Sequence, residues 1–184
     1  MTLRHKVFLS YYHEEDEYYR KRFETLFGNV MVPWSVQIGD IDPNAKTEYV
    51  RQKIREEYLS DSSVTVVLIG TNTWQRKYID WEIYYSLRDT QRNPRSGLLG
   101  IILPTYPGYK KNEYNPYTIP PRLWDNVKER EDGQQTFSKL YLWNEDPPLM
   151  QKIIDEAYER RNKIIPINSR QTFGNNHSGE RWQD

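Results

Sequence analysis

Two uninterrupted apolar runs constrain this 184-residue chain most, VTVVLI at 64–69 and LLGIIL at 98–103. A strand with one wet face alternates apolar and polar residues; these runs do not. Each suits a strand covered on both faces, as in a parallel sheet sandwiched between helices. After the first run, Gly70, Thr71, Asn72 and Thr73 stop the strand and offer side-chain caps to a following helix. Ile79, Ile83 and Leu87 then recur at helical spacing, giving that helix one apolar face.

The rest of the chain alternates in the same way. KVFLS at 6–10 reads as a first strand, and Glu14, Glu15, Asp16 and Glu17 suit the start of a helix. Tyr19, Phe23, Leu26 and Phe27 form one face of that helix, which Gly28-Asn29 closes. A second strand falls within 32–38, at a sheet edge because of Pro33. Residues 39–43 form a loop, in which Asp42-Pro43 is a good N-cap and first-turn pair for a helix burying Val50, Ile54 and Tyr58. Residues 104–136 read as a long proline- and tyrosine-rich insertion loop, with a helical turn within 119–124. A fifth strand is expected within 136–143 and a last helix over 147–161, with Met150, Ile153, Ile154, Ala157 and Tyr158 on its buried face. Five strands alternating with helices predict an α/β domain, flavodoxin-like, with a mainly parallel sheet and helices on both faces. One domain over 1–165 is expected, and a polar, mobile tail over 166–184.

Composition excludes several functions. Lys+Arg and Asp+Glu are both 26, so no general positive field draws the chain to nucleic acid. Cysteine is absent, which removes disulfides, thiol nucleophiles and thiolate metal sites. The N-terminus lacks the apolar stretch of a signal peptide and no run is long enough to span a bilayer, so a cytoplasmic protein is expected. The sequon Asn176-His177-Ser178 carries no meaning there. Neither GxGxxG nor GxxxxGK[ST] occurs, nor do HExxH or GxSxG, and His5, His13 and His177 have no metal-ligand spacing. A phosphoacceptor fold would need an aspartate at the end of the third strand, where this chain has Gly70-Thr71-Asn72.

What remains is Asp80 and Glu82 on a helix just past the end of a central strand, flanked by Trp74, Tyr78 and Trp81. Carboxylates there are well placed for chemistry, because ligands of open α/β sheets bind outside the carboxyl ends of the strands. Spacing alone favours the simpler role of complementing the helix dipole.

The opening strand with its acidic-aromatic turn, VFLSY at 7–11, and the stretch LIG-TNTW…WEI over 68–83 resemble the Toll/interleukin-1 receptor (TIR) family. The likeness is closest to TIR-like proteins of the bacterial Thoeris antiphage system, and it covers roughly residues 6–160. The resemblance implies an enzyme that takes NAD as substrate and needs no cofactor. It would break the nicotinamide–ribose bond with Glu82 as the catalytic residue and make a cyclic ADP-ribose isomer. That diffusible nucleotide would activate a separate NAD-depleting effector protein. Tyr11, Tyr12 and Trp74 are candidate stacking walls, and Ser10 and Thr71 candidate hydrogen-bonding groups. Phe8, Asp40 and Trp81 complete the candidate substrate-binding set, although Phe8 reads first as core and Asp40 as turn chemistry. A homo-oligomer is compatible with the family; nucleic acid, membrane and metal are not expected. Two alternatives stay open: a non-catalytic TIR adaptor acting by self-association, and a nucleoside-processing transferase of similar fold.

Overall fold

The computed structural model of the protein describes residues 4–36, 40, 42, 44–91 and 93–183. Five parallel strands form one sheet in the order β2-β1-β3-β4-β5. They are β1 (Lys6–Ser10), β2 (Val32–Trp34), β3 (Val64–Ile69), β4 (Gly97–Ile102) and β5 (Leu140–Leu142). Both apolar runs are buried along their whole length, as their composition requires. β2 lies at an edge, where Pro33 costs no internal ladder bond. The part of the expected second strand at 37–38, with residues 39, 41 and 43 of the loop that follows, lies outside the described residues.

The helices are α1 (His13–Phe27), α2 (Thr47–Lys53), α3 (Lys77–Ser86), α4 (Pro121–Val127) and α5 (Pro147–Lys163). α1 and α5 cover one face of the sheet, where Phe23, Phe27, Met150, Ile153 and Ile154 pack on Val7, Leu9, Val66 and Leu99. The other face carries α3 and α4 through Ile79, Ile83 and Leu123. Toward its β2 edge lies α2, whose Val50 and π-helical continuation (Ile54–Tyr58) pack with Phe8 and Trp81. The expected buried face Val50, Ile54 and Tyr58 is therefore present. No helix among the described residues is long and apolar enough to cross a membrane.

Four expectations need correction. α2 begins at Thr47 with Lys46 as its N-cap, and Asp42 accepts the Asn44 N–H at 2.8 Å in a local turn of its own. Residues 70–73 do not cap α3: its N-cap is Arg76, and Thr73 Oγ1 instead accepts the Gly70 N–H at 2.8 Å, tying off β3. The segment 104–136 holds more than the one helical turn expected within 119–124. It contains two 3₁₀ turns and α4, which Pro121 starts from a first-turn position where no N–H is required.

The tail, finally, is pinned to the domain. Phe173 and Trp182 are buried, and the Trp182 indole N–H donates to the Ile119 carbonyl at 2.8 Å. Arg170 forks onto Asp125 at 2.7 and 3.0 Å, and Asn176 Oδ1 accepts the Lys77 N–H at 3.0 Å, supplying the cap that α3 lacks. Two aromatic anchors and these polar contacts offset the entropy of ordering a polar segment.

Candidate active site

The strand order reverses direction about β1 and β3, since the chain passes to β2 on one side and to β4 on the other. Sheets of this topology bind ligands at the carboxyl ends of the strands at that point. Ser10 is the last residue of β1, and Gly70 follows β3. Glu82 comes to the same place from α3, whose apolar stripe Ile79–Ile83 rests on the sheet and turns the carboxyl toward Ser10. Ser10 Oγ donates to Glu82 Oε2 at 2.5 Å, its one hydrogen-bond partner among the described residues.

Glu82 is 5 % exposed with no cation paired to it among the described residues, so burial pushes its carboxyl up to about 8, against the opposing effect of the Ser10 hydrogen bond. Two residues earlier on the same helix, Asp80 has the opposite surroundings. Its Oδ1 takes Arg122 Nε at 2.8 Å, and its Oδ2 takes Arg122 Nη2 at 3.4 Å and the Phe173 N–H at 2.8 Å. α3 thus carries one paired, structural carboxylate toward α4 and the tail, and one isolated carboxyl toward β1.

The other expected site residues divide into three groups. Phe8 and Trp81 lie in one core cluster with Val50 and Ile54; the Trp81 indole N–H donates to the Phe173 carbonyl at 2.8 Å and Arg51 covers its ring at 4.6 Å. Both are buried, as is Trp74, 2 % exposed in the turn before α3. Tyr11 and Tyr12 continue from Ser10 into α1. The Tyr11 hydroxyl donates to Glu17 at 2.6 Å, and burial first, then this bond, raise its pKa. Burial and a hydrogen bond to Glu14 push Tyr12 up to about 12. Asp40 lies toward α2: its carbonyl accepts Lys53 Nζ at 2.5 Å, and its carboxylate, after burial, raises the Tyr58 hydroxyl. The Thr71 hydroxyl donates to the Thr105 carbonyl at 2.7 Å. The structure therefore brings Ser10 and Glu82 into contact, with Tyr11 and Tyr12 next in chain, and gives the Thr71 hydroxyl a backbone partner.

Asp16 is a further buried carboxyl at this end of the sheet. It accepts the Thr105 hydroxyl at 3.0 Å and the Thr73 hydroxyl at 3.5 Å, and burial pushes it up to about 6 against those bonds. Its carboxyl occupies the space a side chain at Gly70 would need, for a Cβ there would lie 2.3 Å from Asp16 Oδ2. Gly70→Ala is expected to cost about 1–3 kcal/mol in urea denaturation by displacing a fully buried carboxyl, and Asp16→Gly in the same chain should recover part of that loss.

In the sequence Asp16 was one of four helix-start acids, and nothing in the pattern singles it out. Arg122 was legible in principle, because Pro120-Pro121 followed by Arg-Leu-Trp is a helix start inside the supposed loop. Among the described residues no cluster of three or more His, Cys, Asp or Glu could hold a metal ion.

A family model described as Thoeris protein ThsB, TIR-like domain, matches residues 8–107. That span, 100 of 184 residues, runs from β1 past β4 and includes Ser10, Asp16 and Glu82. The match, the parallel 2-1-3-4-5 sheet and the residues at its switch point agree: the chain belongs to the Thoeris ThsB TIR-like domain family.

Proposed function

We propose that the protein is an NAD-consuming signal synthase of antiphage defence. It cleaves the nicotinamide–ribose bond and closes the remaining ADP-ribose into a cyclic isomer, which activates a separate NAD-depleting effector. The observation that carries this reading is the isolated Glu82 carboxyl, buried against Ser10 at the switch point of the sheet. Family membership supports the defence setting.

The chemistry asks little of the protein. Nicotinamide leaves NAD as a neutral molecule, so no general acid is required. The ribosyl carbon gains oxocarbenium character, which a carboxylate close by stabilises, most effectively where water is excluded. Glu82 rests mainly protonated near pH 7. The cationic pyridinium of NAD set against it favours the ionised form, so binding the substrate releases the proton and creates the carboxylate. Ser10 Oγ, donating to Oε2, fixes the carboxyl's orientation. Cyclisation requires an internal nucleophile to reach the carbon before water, which the burial of Glu82, 5 % exposed, favours.

The test is mass spectrometry of nucleotides from cells expressing the protein, with and without phage, beside a Glu82→Gln control. An ADP-ribose-sized species that appears on infection and is missing from the control is expected. The alternative reading is an adaptor acting by self-association. If no new species forms and Glu82→Gln leaves defence intact, the adaptor replaces the enzyme.

A further inference from the structure

Arg76, like Arg161 on Tyr158, is stacked on a tyrosine with a buried, unpartnered Nε, but of the two only Arg76 stacks on a residue two positions from Ser10. Arg20 engages Glu17 and Glu24, Arg122 engages Asp80, and Arg170 engages Asp125. Arg76 has no carboxylate within ion-pair distance among the described residues. Its Nε is buried without any hydrogen-bond partner. The guanidinium lies over the ring of Tyr12, 3.6 Å from the centroid. The acids at the start of α1 do not neutralise it: Glu14 accepts the Tyr12 hydroxyl, and Glu15 accepts the Asn72 amide at 2.7 Å. A partly buried cation with an unmet donor, stacked rather than paired, is costly unless something else completes it.

Its position indicates what that is. Two chain segments run side by side here. Ser10 touches Glu82, and Tyr12, two residues on, touches Arg76, six residues back from Glu82. The two contacts place Arg76 at the same end of the sheet as the Glu82 carboxyl, beside the segment that follows Ser10.

We propose that Arg76, held flat on Tyr12, is the anion-binding residue of this site and takes the diphosphate of the dinucleotide substrate. This deepens the NAD-cleavage reading and rests on it. With its glycosidic carbon at Glu82, a dinucleotide carries its diphosphate one ribose away, and Arg76 stands at this end of the sheet as a cation without a carboxylate partner among the described residues. A planar guanidinium presents paired donors to phosphate oxygens, and the ring beneath it fixes the plane. One face of Tyr12 is thereby occupied by Arg76, so that face is not a stacking wall for a base.

Two substrates sharing the scissile bond separate binding from chemistry: NAD, and nicotinamide riboside, which lacks the diphosphate. Arg76→Gln is expected to lower kcat/KM for NAD roughly 10- to 100-fold, mostly through KM, the change that follows from losing charge-assisted hydrogen bonds. For nicotinamide riboside the change should be under about twofold. Arg76→Lys should restore part of the NAD activity, a point charge replacing a fork. Equal losses on both substrates, or none on either, would overturn the assignment while leaving NAD cleavage standing. If the parent protein cleaves no NAD at all, the cleavage reading fails, and calorimetry with ADP-ribose reads Arg76 separately. Binding at least tenfold weaker in Arg76→Gln than in the parent supports the anion site; equal binding, or none by the parent, rejects it.

Discussion

Glu82→Gln is expected to abolish nicotinamide release and also to make the protein more stable than its parent at pH 8. Both effects follow from one carboxyl. Burial raises Glu82 from its ordinary 4.5 to about 8. Between those values the native protein keeps a proton that the unfolded chain has lost. The stability contributed by this group is thus fully present below pH 4.5 and is lost as pH rises toward 8. Over the whole window the loss is on the order of a few kcal/mol. Glutamine keeps the shape and stays neutral, so it escapes the loss. Urea denaturation should show the two proteins within about 1 kcal/mol of each other near pH 4.5, and the variant ahead by a few kcal/mol at pH 8. Asp16, also raised by burial, titrates in both proteins and cancels from the difference. A variant that is inactive and equally stable at pH 4.5 and 8 would mean that Glu82 is not buried as a neutral acid.

Asp80→Ala, two residues away, should act in the opposite direction and cost about 3–5 kcal/mol at pH 7. Arg122 is fully buried and Asp80 nearly so. Removing the carboxylate leaves the guanidinium, among the described residues, with only the Asn168 side-chain oxygen at 2.9 Å and strips the Phe173 N–H of its acceptor. The pair also ties α3 to α4 and to the tail, so the damage spreads beyond one bond. Replacing both partners in Asp80→Leu with Arg122→Met removes the stranded charge and should recover more than half of the loss. The measurement is the double-mutant cycle in urea. Two additive single losses with no recovery would show that the pair does not act as a unit. Acidic residues at the start of a helix are usually grouped together as dipole partners; here their environments differ, Asp80 being paired with Arg122 and Glu82 held by Ser10 among the described residues.

That distinction was not readable from the chain, and the reason is physical. What the sequence carries well is periodicity. The unbroken runs of β3 and β4, the stripe Ile79–Ile83–Leu87 and the buried face of α5 follow from apolar spacing, and each stands where spacing put it. The parallel sheet with helices on both faces followed from the alternation of strands and helices, and the placing of Glu82 just past a central strand from the spacing after that strand. What spacing does not carry is a contact between a side chain and distant backbone. Phe173 and Trp182 sit in a polar, glycine- and asparagine-rich tail with no repeat, yet indole-to-carbonyl bonds join that tail to α3 and to the turn before α4. The N-terminal cap of α3 comes from Asn176, about a hundred residues downstream in sequence. Arg122 was hidden by the prolines around it, which signal a loop and also open a helix. Ser10 was expected as a hydrogen-bonding group for substrate; its contact with Glu82 depends on how α3 rotates on the sheet, which no local pattern encodes.

The most direct test of the account is nicotinamide release from NAD by the parent protein and by Glu82→Gln, prepared alike from phage-infected cells and assayed at pH 7. The account predicts that the parent frees nicotinamide together with an equal amount of cyclic or linear ADP-ribose. Glu82→Gln, although folded and the more stable of the two at that pH, should free none above background. Nicotinamide release by Glu82→Gln at the parent's rate would contradict it, because the buried carboxyl at the switch point would then have no part in the reaction.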